Sequence, residues 1–184
     1  MYNTEAPNFP EYVDDEYHHI TTVILPAFAG MQITDGPYGA ISSPEPSIGE
    51  THAVSKKSLD PAIFHSVVAW VLSNALKIRE LLFPALVDQY WEMRDIIIED
   101  LDEEDQDEVD AHLPEIESPE ELATLCGLVA IHVGGQTADG EPRFGIELGC
   151  NWEPEHGAGV RFEGLRVVQA GDASDAFAFP QDET

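Results

Sequence analysis

Side chains able to do chemistry are densest between Trp152 and Gly157, in the run Trp-Glu-Pro-Glu-His-Gly. Glu153, Glu155 and His156 supply two carboxylates and an imidazole, which can bind a metal ion or form a general acid/base pair. Neighbouring residues on a strand point to opposite faces, so Glu155 and His156 converge only if the loop is irregular. In the structural alternative, one of these two side chains hydrogen-bonds the loop backbone while Trp152 covers the core. The absence of an H-E-x-x-H, H-x-x-x-H or C-x-x-C spacing favours this structural role.

A second concentration of charge is the segment 99–117, which is rich in Asp and Glu and contains no Lys or Arg. Blocks of like charge repel themselves and are typical of interaction surfaces. An EF-hand is excluded, because the required glycine and final carboxylate are out of register. Three interpretations stay open: docking of a basic protein, weak calcium or magnesium binding, and a solvated loop suited to high salt. The predicted partner-binding carboxylates are those of Asp102, Glu103, Glu104, Asp105, Asp107 and Glu108.

Composition narrows the class of partner. The 184-residue chain has 8 Lys and Arg against 36 Asp and Glu, a formal net charge of −28. Such a field repels nucleic-acid phosphates and anionic lipid headgroups, so we expect neither nucleic acid nor membrane as a partner. No Ser or Cys nucleophile motif, P-loop or Rossmann fingerprint is present, which disfavours an enzyme. No cofactor is expected. Two cysteines and an N-terminal sequence unlike a signal peptide indicate a reduced, cytoplasmic protein.

The elements that must position these groups are strands around the Trp-Glu-Pro-Glu-His-Gly loop. Phe144, Ile146 and Leu148 alternate with small or polar residues before the loop, and Val160 and Phe162 do so after it, as expected of half-buried strands. A turn at 163–164 leads into a return strand. The segment 126–133 is apolar on both faces, which predicts a central strand.

The middle of the chain predicts helices. Asp60 and Pro61 are a favourable helix start, and Pro84 is expected to break or kink the apolar pattern that follows. A second helix is predicted to reach about residue 98, and Ser118 begins a short capped helix. The predicted fold is therefore α+β, an antiparallel sheet packed against a pair of helices. We expect an acidic N-terminal arm at 1–19, a single domain at 20–177 containing the acidic loop, and a flexible tail at 178–184.

Two motifs carry a family resemblance. The run 152–160, W-E-P-E-H-G-A-G-V, resembles the W-(D/E)-x-E-H-G-x-G-(V/I/L) signature of a small bacterial domain family of unknown function. The run 171–177 matches the G-D-x-x-x-A-F ending of that family, and 35–39 resembles one of its turns. The resemblance implies an α+β domain of the bacterial cytoplasm, suspected of immunity or accessory roles beside toxins. It implies no known enzyme.

Together these observations favour an acidic binding protein over an enzyme. The expected function is an immunity-like one, in which the acidic surface engages a cationic protein such as a toxin. One alternative is a metal-dependent hydrolase that uses Glu155 and His156. Another is a salt-adapted domain in which the carboxylates have no binding role. The oligomeric state is left open by the sequence.

Overall fold

The computed structural model describes residues 12–14, 17–34, 41–99 and 111–180 of the chain. The predicted turn at 35–39 lies outside them. The strands are β1 (Tyr12–Asp14), β2 (His18–Ile24), β3 (Gln32–Thr34), β4 (Ile41–Pro46), β5 (Glu50–Lys56), β6 (Cys126–Gln136), β7 (Pro142–Cys150), β8 (Ala158–Glu163) and β9 (Arg166–Gly171). The helix α1 is Pro61–Glu99, and short 3-10 helices occupy Pro26–Phe28, Pro119–Thr124 and Ala173–Ala176.

Seven strands form one sheet in the order β1-β2-β5-β6-β7-β8-β9, and β3 pairs with β4 in a small second sheet. The α+β class predicted from the sequence is confirmed. The sheet is mixed, however, and not antiparallel throughout, because β5 and β6 are parallel and pair Val54 with His132. A parallel neighbour requires a long crossover between the two strands, and here the chain between them contains α1.

The predicted pair of helices is wrong: α1 is one helix of 39 residues that passes through Pro84. Proline removes a hydrogen bond to the residue four positions earlier, so the helix is weakened at that point. Pro84 itself is exposed, whereas Leu82, Phe83 and Leu86 around it are fully buried. Burial of each such side chain stabilises the fold by about 1.5–3 kcal/mol, which outweighs the single missing bond.

By length and composition alone, α1 is apolar enough to cross a membrane, with a hydropathy of 1.3. The core helix of a soluble protein satisfies the same test. In this fold Phe64, Ile78 and Leu86 are buried in the core formed with the sheet. One side of α1 is therefore packed against the sheet.

The core lies between α1 and one face of the large sheet. Trp70 of the helix contacts Phe144 of β7 at a centroid distance of 5.9 Å, and Phe144 stacks on Phe162 of β8 at 5.0 Å. Because strand residues alternate, the residues next to Phe144 point the other way. We call that second side, marked by His132, Gly145 and Arg161, the outer face.

Several local predictions are confirmed. β6 is the middle strand of the seven, as the apolar run 126–133 predicted. The backbone N–H of Ser118 donates to Glu121 Oε1 at 2.8 Å, which completes the predicted capping box. By contrast, the predicted arm 1–19 contains regular structure: β1 and the first residues of β2 form one edge of the large sheet.

Candidate functional site

The Trp-Glu-Pro-Glu-His-Gly loop connects β7 to β8, and its tryptophan belongs to the core. Trp152 is fully buried and meets Tyr90 of α1 edge to face at 5.5 Å. Its Nε1 is buried and has no hydrogen-bond partner among the described residues. The Tyr90 hydroxyl donates to the Pro114 carbonyl at 2.5 Å, so Tyr90 also holds the last part of the acidic segment 99–117. Trp152 thus joins the loop to the helix.

The polar residues of the loop close a turn. Glu153 Oε1 accepts from the backbone N–H of His156 at 3.3 Å and lies 3.2 Å from His156 Nδ1. The N–H of Gly157 donates to the Glu153 carbonyl at 2.8 Å. Gly157 has φ +64°, and a Cβ there would lie 2.5 Å from the Leu148 carbonyl oxygen. Glycine is therefore required both by the backbone conformation and by the close contact. The residue that holds the turn is Glu153, whereas the sequence pointed to Glu155 or His156.

Glu155 and His156 are both exposed, and no contact joins them. Within the described ranges no three His, Cys, Asp or Glu side chains are placed to share a metal ion. The other predicted site, the carboxylates from Asp102 to Glu108, lies outside the described residues. The loop signature is therefore explained here by packing and turn geometry.

The G-D-x-x-x-A-F ending builds a second feature, on the outer face. Asp172 caps the Ala173–Ala176 helix: its Oδ1 accepts from the backbone N–H of Ser174 at 2.8 Å and from the Ser174 hydroxyl at 2.5 Å. These bonds to Ser174 lower the pKa of Asp172 below its ordinary value. The same helix is tied back to the loop, because the N–H of Ala173 donates to the His156 carbonyl at 3.1 Å.

Two strand glycines let this short helix lie against the sheet. A Cβ on Gly145 of β7 would lie 2.6 Å from the Ala176 carbonyl carbon, and one on Gly159 of β8 would lie 2.8 Å from the Ala176 nitrogen. Ala176 itself is fully buried. The 3-10 helix therefore packs directly on the backbone of β7 and β8. This position places the next residue, Phe177, over the middle of the outer face.

Phe177 covers a histidine and carboxylate pair. His132 of β6 and Glu147 of β7 lie on adjacent strands, with Nε2 and Oε2 2.6 Å apart and about four fifths of each side chain buried. A carboxylate accepts hydrogen bonds and cannot donate them, so His132 donates through Nε2–H. The Phe177 ring lies 5.0 Å from the imidazole. This arrangement orients the imidazole and shields one side of it.

A cavity of about 650 Å³ opens beside this pair, which we call the outer cavity. Its volume is within the range of small-molecule sites. It is bordered by strands β2, β5, β6 and β7 and by the chain after Phe177. Its polar and aromatic lining consists of His18, Ser55, Lys56, Ser58, His132, Arg143, Phe177 and Phe179.

Sequence reasoning missed both the pair and the cavity. His132 is the seventh of the eleven residues of β6, and nothing in its own segment identifies Glu147 as its partner. The available signal was register: a hairpin that pairs Ala130 with Glu147 and His132 with Gly145 puts Glu147 diagonal to His132 on one face. Bulges shift that register, so counting from the turn does not find the pair.

The two cysteines are opposite each other in the β6–β7 ladder and both are buried. Burial raises the pKa of the Cys126 thiol well above its ordinary value and raises that of Cys150 to about 12. Cys126 Sγ lies 3.1 Å from the Leu122 carbonyl oxygen, and Cys150 Sγ lies 3.7 Å from that of Glu153. Such thiols are protonated at neutral pH and pack as small apolar groups.

The comparisons with known proteins identify a domain family. No curated protein and no solved structure matches the chain. A family model described as a domain of unknown function, DUF6985, matches residues 51–177. That range begins in β5 and includes α1, the loop, both strand glycines and the ending at Phe177. Because the match covers more than half of the chain, this protein belongs to the DUF6985 family of domains of unknown function.

Proposed function

We propose that this domain is a cytoplasmic, non-catalytic binding protein whose acidic surface engages a basic protein, in an immunity-like role with a toxin as the partner. The observation that carries the proposal is a stripe of carboxylates on α1. Its members are Asp88, Glu92, Asp95 and Glu99, and all four are exposed. We call this set the helix stripe.

The helix stripe is a continuous surface by helix geometry. Its residues are separated by three or four positions, which places them one above another on the same side of a helix. Within the part of the chain that the structure describes, none of the four forms an ion pair. The stripe ends at Glu99, where the acidic segment 99–117 begins.

The two arginines of α1 do not neutralise the helix stripe. Arg94 is buried, donates from Nε to the Leu113 carbonyl at 2.8 Å and lies over the Trp91 ring. Arg79 pairs with Glu120 and lies 5.2 Å from the centroid of the Phe83 ring. Both guanidinium groups therefore interact with other residues of the fold. The carboxylates of the helix stripe are left without a neutralising arginine from α1.

Uncompensated carboxylates on one surface attract a cationic protein and speed its approach. The attraction is screened by salt, because the Debye length falls from about 10 Å at 0.1 M to about 3 Å at 1 M. Binding through this surface should therefore weaken steeply as salt is raised. A salt-adapted domain without a binding role predicts no such partner.

The experiment compares two variants of equal charge. One neutralises the helix stripe, with Asp88→Asn, Glu92→Gln, Asp95→Asn and Glu99→Gln. The matched control neutralises four exposed carboxylates elsewhere, with Glu50→Gln, Asp139→Asn, Glu141→Gln and Glu155→Gln. Each protein is used to capture partners from the lysate of its source cells, and the Kd of any captured basic protein is then measured at low and high salt.

We expect the native chain and the control to retain a basic protein that the stripe variant binds at least tenfold more weakly. Equal loss in both variants would indicate general charge attraction and would support the salt-adapted alternative. Full retention by the stripe variant would contradict the proposal. The Glu155→Gln change in the control also bears on the hydrolase alternative, for which no convergent ligand set exists among the described residues.

A further inference from the structure

The outer cavity differs in charge from the rest of this chain. Among the residues that the structure describes, its lining includes Lys56, Arg143, His18 and His132 and contains no Asp or Glu. The chain as a whole has 36 acidic residues against 8 Lys and Arg. Charged residues drawn from the chain at random would be mostly acidic, whereas the ionisable residues described in this lining are all basic. That bias points to a ligand of negative charge.

The positive character continues into a neighbouring hollow. A second depression of about 200 Å³ shares Arg143 with the outer cavity and adds Arg161 and Arg166, with Glu163 as its acidic member. Lys56, Arg143, Arg161 and Arg166 are four of the eight Lys and Arg residues of the chain. Half of the strongly basic side chains are therefore gathered on one side of the sheet.

The fold positions these groups. His18 and Lys56 are direct cross-strand partners in the β2–β5 ladder, at the cavity end of both strands. Glu147 orients His132 through the 2.6 Å contact, and Glu163 Oε1 lies 3.5 Å from Arg143 Nε. Cations that are held in place by their neighbours need less ordering when a ligand arrives.

An aromatic wall completes the site. Phe177 is 47 % exposed although its ring packs on His132, so an apolar surface faces the cavity beside the cations. Phe179, which lies in the predicted tail 178–184, packs directly on Gly134: a Cβ on that glycine would lie 2.5 Å from its ring. Most small-molecule sites combine such an apolar wall with a few convergent polar groups.

From this combination we infer that the outer cavity binds a small organic anion. Its carboxylate or phosphate group is held by Lys56 and Arg143, and its aromatic or apolar body packs against Phe177 and Phe179. The cavity lies on the face of the sheet opposite α1, so this site is independent of the helix stripe and of the protein partner proposed above.

The test uses three probes with one naphthalene body. They are 1-naphthoate, 1-naphthyl phosphate and the uncharged 1-naphthamide, each titrated into the full-length protein by calorimetry or ligand-observed NMR. We expect one anion to bind one-to-one and at least tenfold more tightly than the amide. Preference for naphthoate assigns a carboxylate ligand, and preference for naphthyl phosphate assigns a phosphate ligand. Equal affinity for all three probes would overturn the inference.

A matched pair of lysine variants separates local from global charge. Lys56→Met removes a cavity cation, whereas Lys77→Met removes an exposed lysine of α1 that does not line the cavity. Both change the net charge by the same amount. The first should weaken anion binding about five- to tenfold, the scale of one charge-assisted hydrogen bond. The second should leave it within twofold, and an equal effect of the two variants would refute the assignment.

A third variant tests the wall independently of charge. Phe177→Ser replaces a half-exposed ring and should weaken all three naphthalene probes together, because each loses the same apolar contact. Circular dichroism confirms that each variant is folded before titration. Unchanged binding in Phe177→Ser would show that the probes bind outside this cavity and would count against the inference.

Discussion

Gly145 of β7 lies directly beneath Ala176, so closely that an added Cβ would stand 2.6 Å from the Ala176 carbonyl carbon. Backbone therefore rests on backbone where the Ala173–Ala176 helix crosses the outer face. This contact links the middle of the sheet to the ending of the chain, and it fixes Phe177 above His132. The close contact with Ala176 explains the glycine at this position without any chemical role.

Gly145→Ala should displace the Ala173–Ala176 helix and destabilise the domain by about 1–3 kcal/mol, the usual cost of overpacking. Denaturant unfolding measures the cost, and the ring-shifted NMR signals of His132 report whether Phe177 has moved. The control is the same substitution in a chain that ends at Gly171. If the alanine costs as much in that shortened chain, the contact with Ala176 is not the cause.

Trp152→Ala should be far more damaging, at about 3–5 kcal/mol, because it empties a fully buried position between the loop and Tyr90. His156→Ala, four positions along the same signature, removes an exposed imidazole and should cost less than about 1 kcal/mol. Both values come from urea unfolding curves. A large loss of stability in His156→Ala would contradict the structural role assigned to the loop.

His132 and Glu147 should be energetically coupled. In a double-mutant cycle with His132→Gln and Glu147→Gln, we expect a coupling free energy of about 1–2 kcal/mol, since the pair is a short and mostly buried charge-assisted hydrogen bond. A cycle between His132 and the exposed Glu155 serves as the control and should give a value near zero. Additive losses in the first cycle would show that the contact contributes no stability.

The buried thiols predict how stability depends on pH. The pKa of Cys150 is raised to about 12 from an ordinary value of 9.0, and that of Cys126 is also raised. In the unfolded chain both thiols ionise near pH 9, so the folded state binds more protons above that pH and stability falls as pH rises. The expected slope is about 1.4 kcal/mol per pH unit for each thiol.

The measurement is the unfolding free energy between about pH 8 and 11, the window in which free thiols ionise. The Cys126→Ala/Cys150→Ala variant supplies the control, because its stability should decline less steeply over the same window. At neutral pH both thiols should react with alkylating reagents only when the domain unfolds. Rapid alkylation of the native protein would contradict this account of the two residues.

Local features could be predicted from the sequence because they depend on neighbouring residues. The alternation of Phe144, Ile146 and Leu148 was enough to identify a strand and its buried face, and Ser118 with Glu121 was enough to identify a capped helix start. The α+β class followed from such segments. The prediction of two helices was wrong for the same reason. A local rule predicted a break or kink at Pro84, and the burial of Leu82, Phe83 and Leu86 keeps α1 continuous there.

The Trp-Glu-Pro-Glu-His-Gly loop shows most clearly what local sequence patterns cannot predict. Its residue types are those of a metal or acid/base site, and nothing in their spacing reveals that Trp152 is fully buried or that Glu153 closes the turn. The burial of Trp152 depends on Tyr90, which is 62 positions earlier in the chain. Side chains distant in sequence meet only after the sheet and the helix have packed.

The sequence by itself determined the strongly negative charge, the strands, the capped turns and the fold class, because composition and short-range periodicity contain that information. Only the tertiary structure decided that β6 lies parallel to β5, that Glu147 meets His132, and that basic residues from β2, β5 and β7 line one cavity under Phe177. These relationships arise from strand order and register, which long-range packing selects and no local pattern encodes.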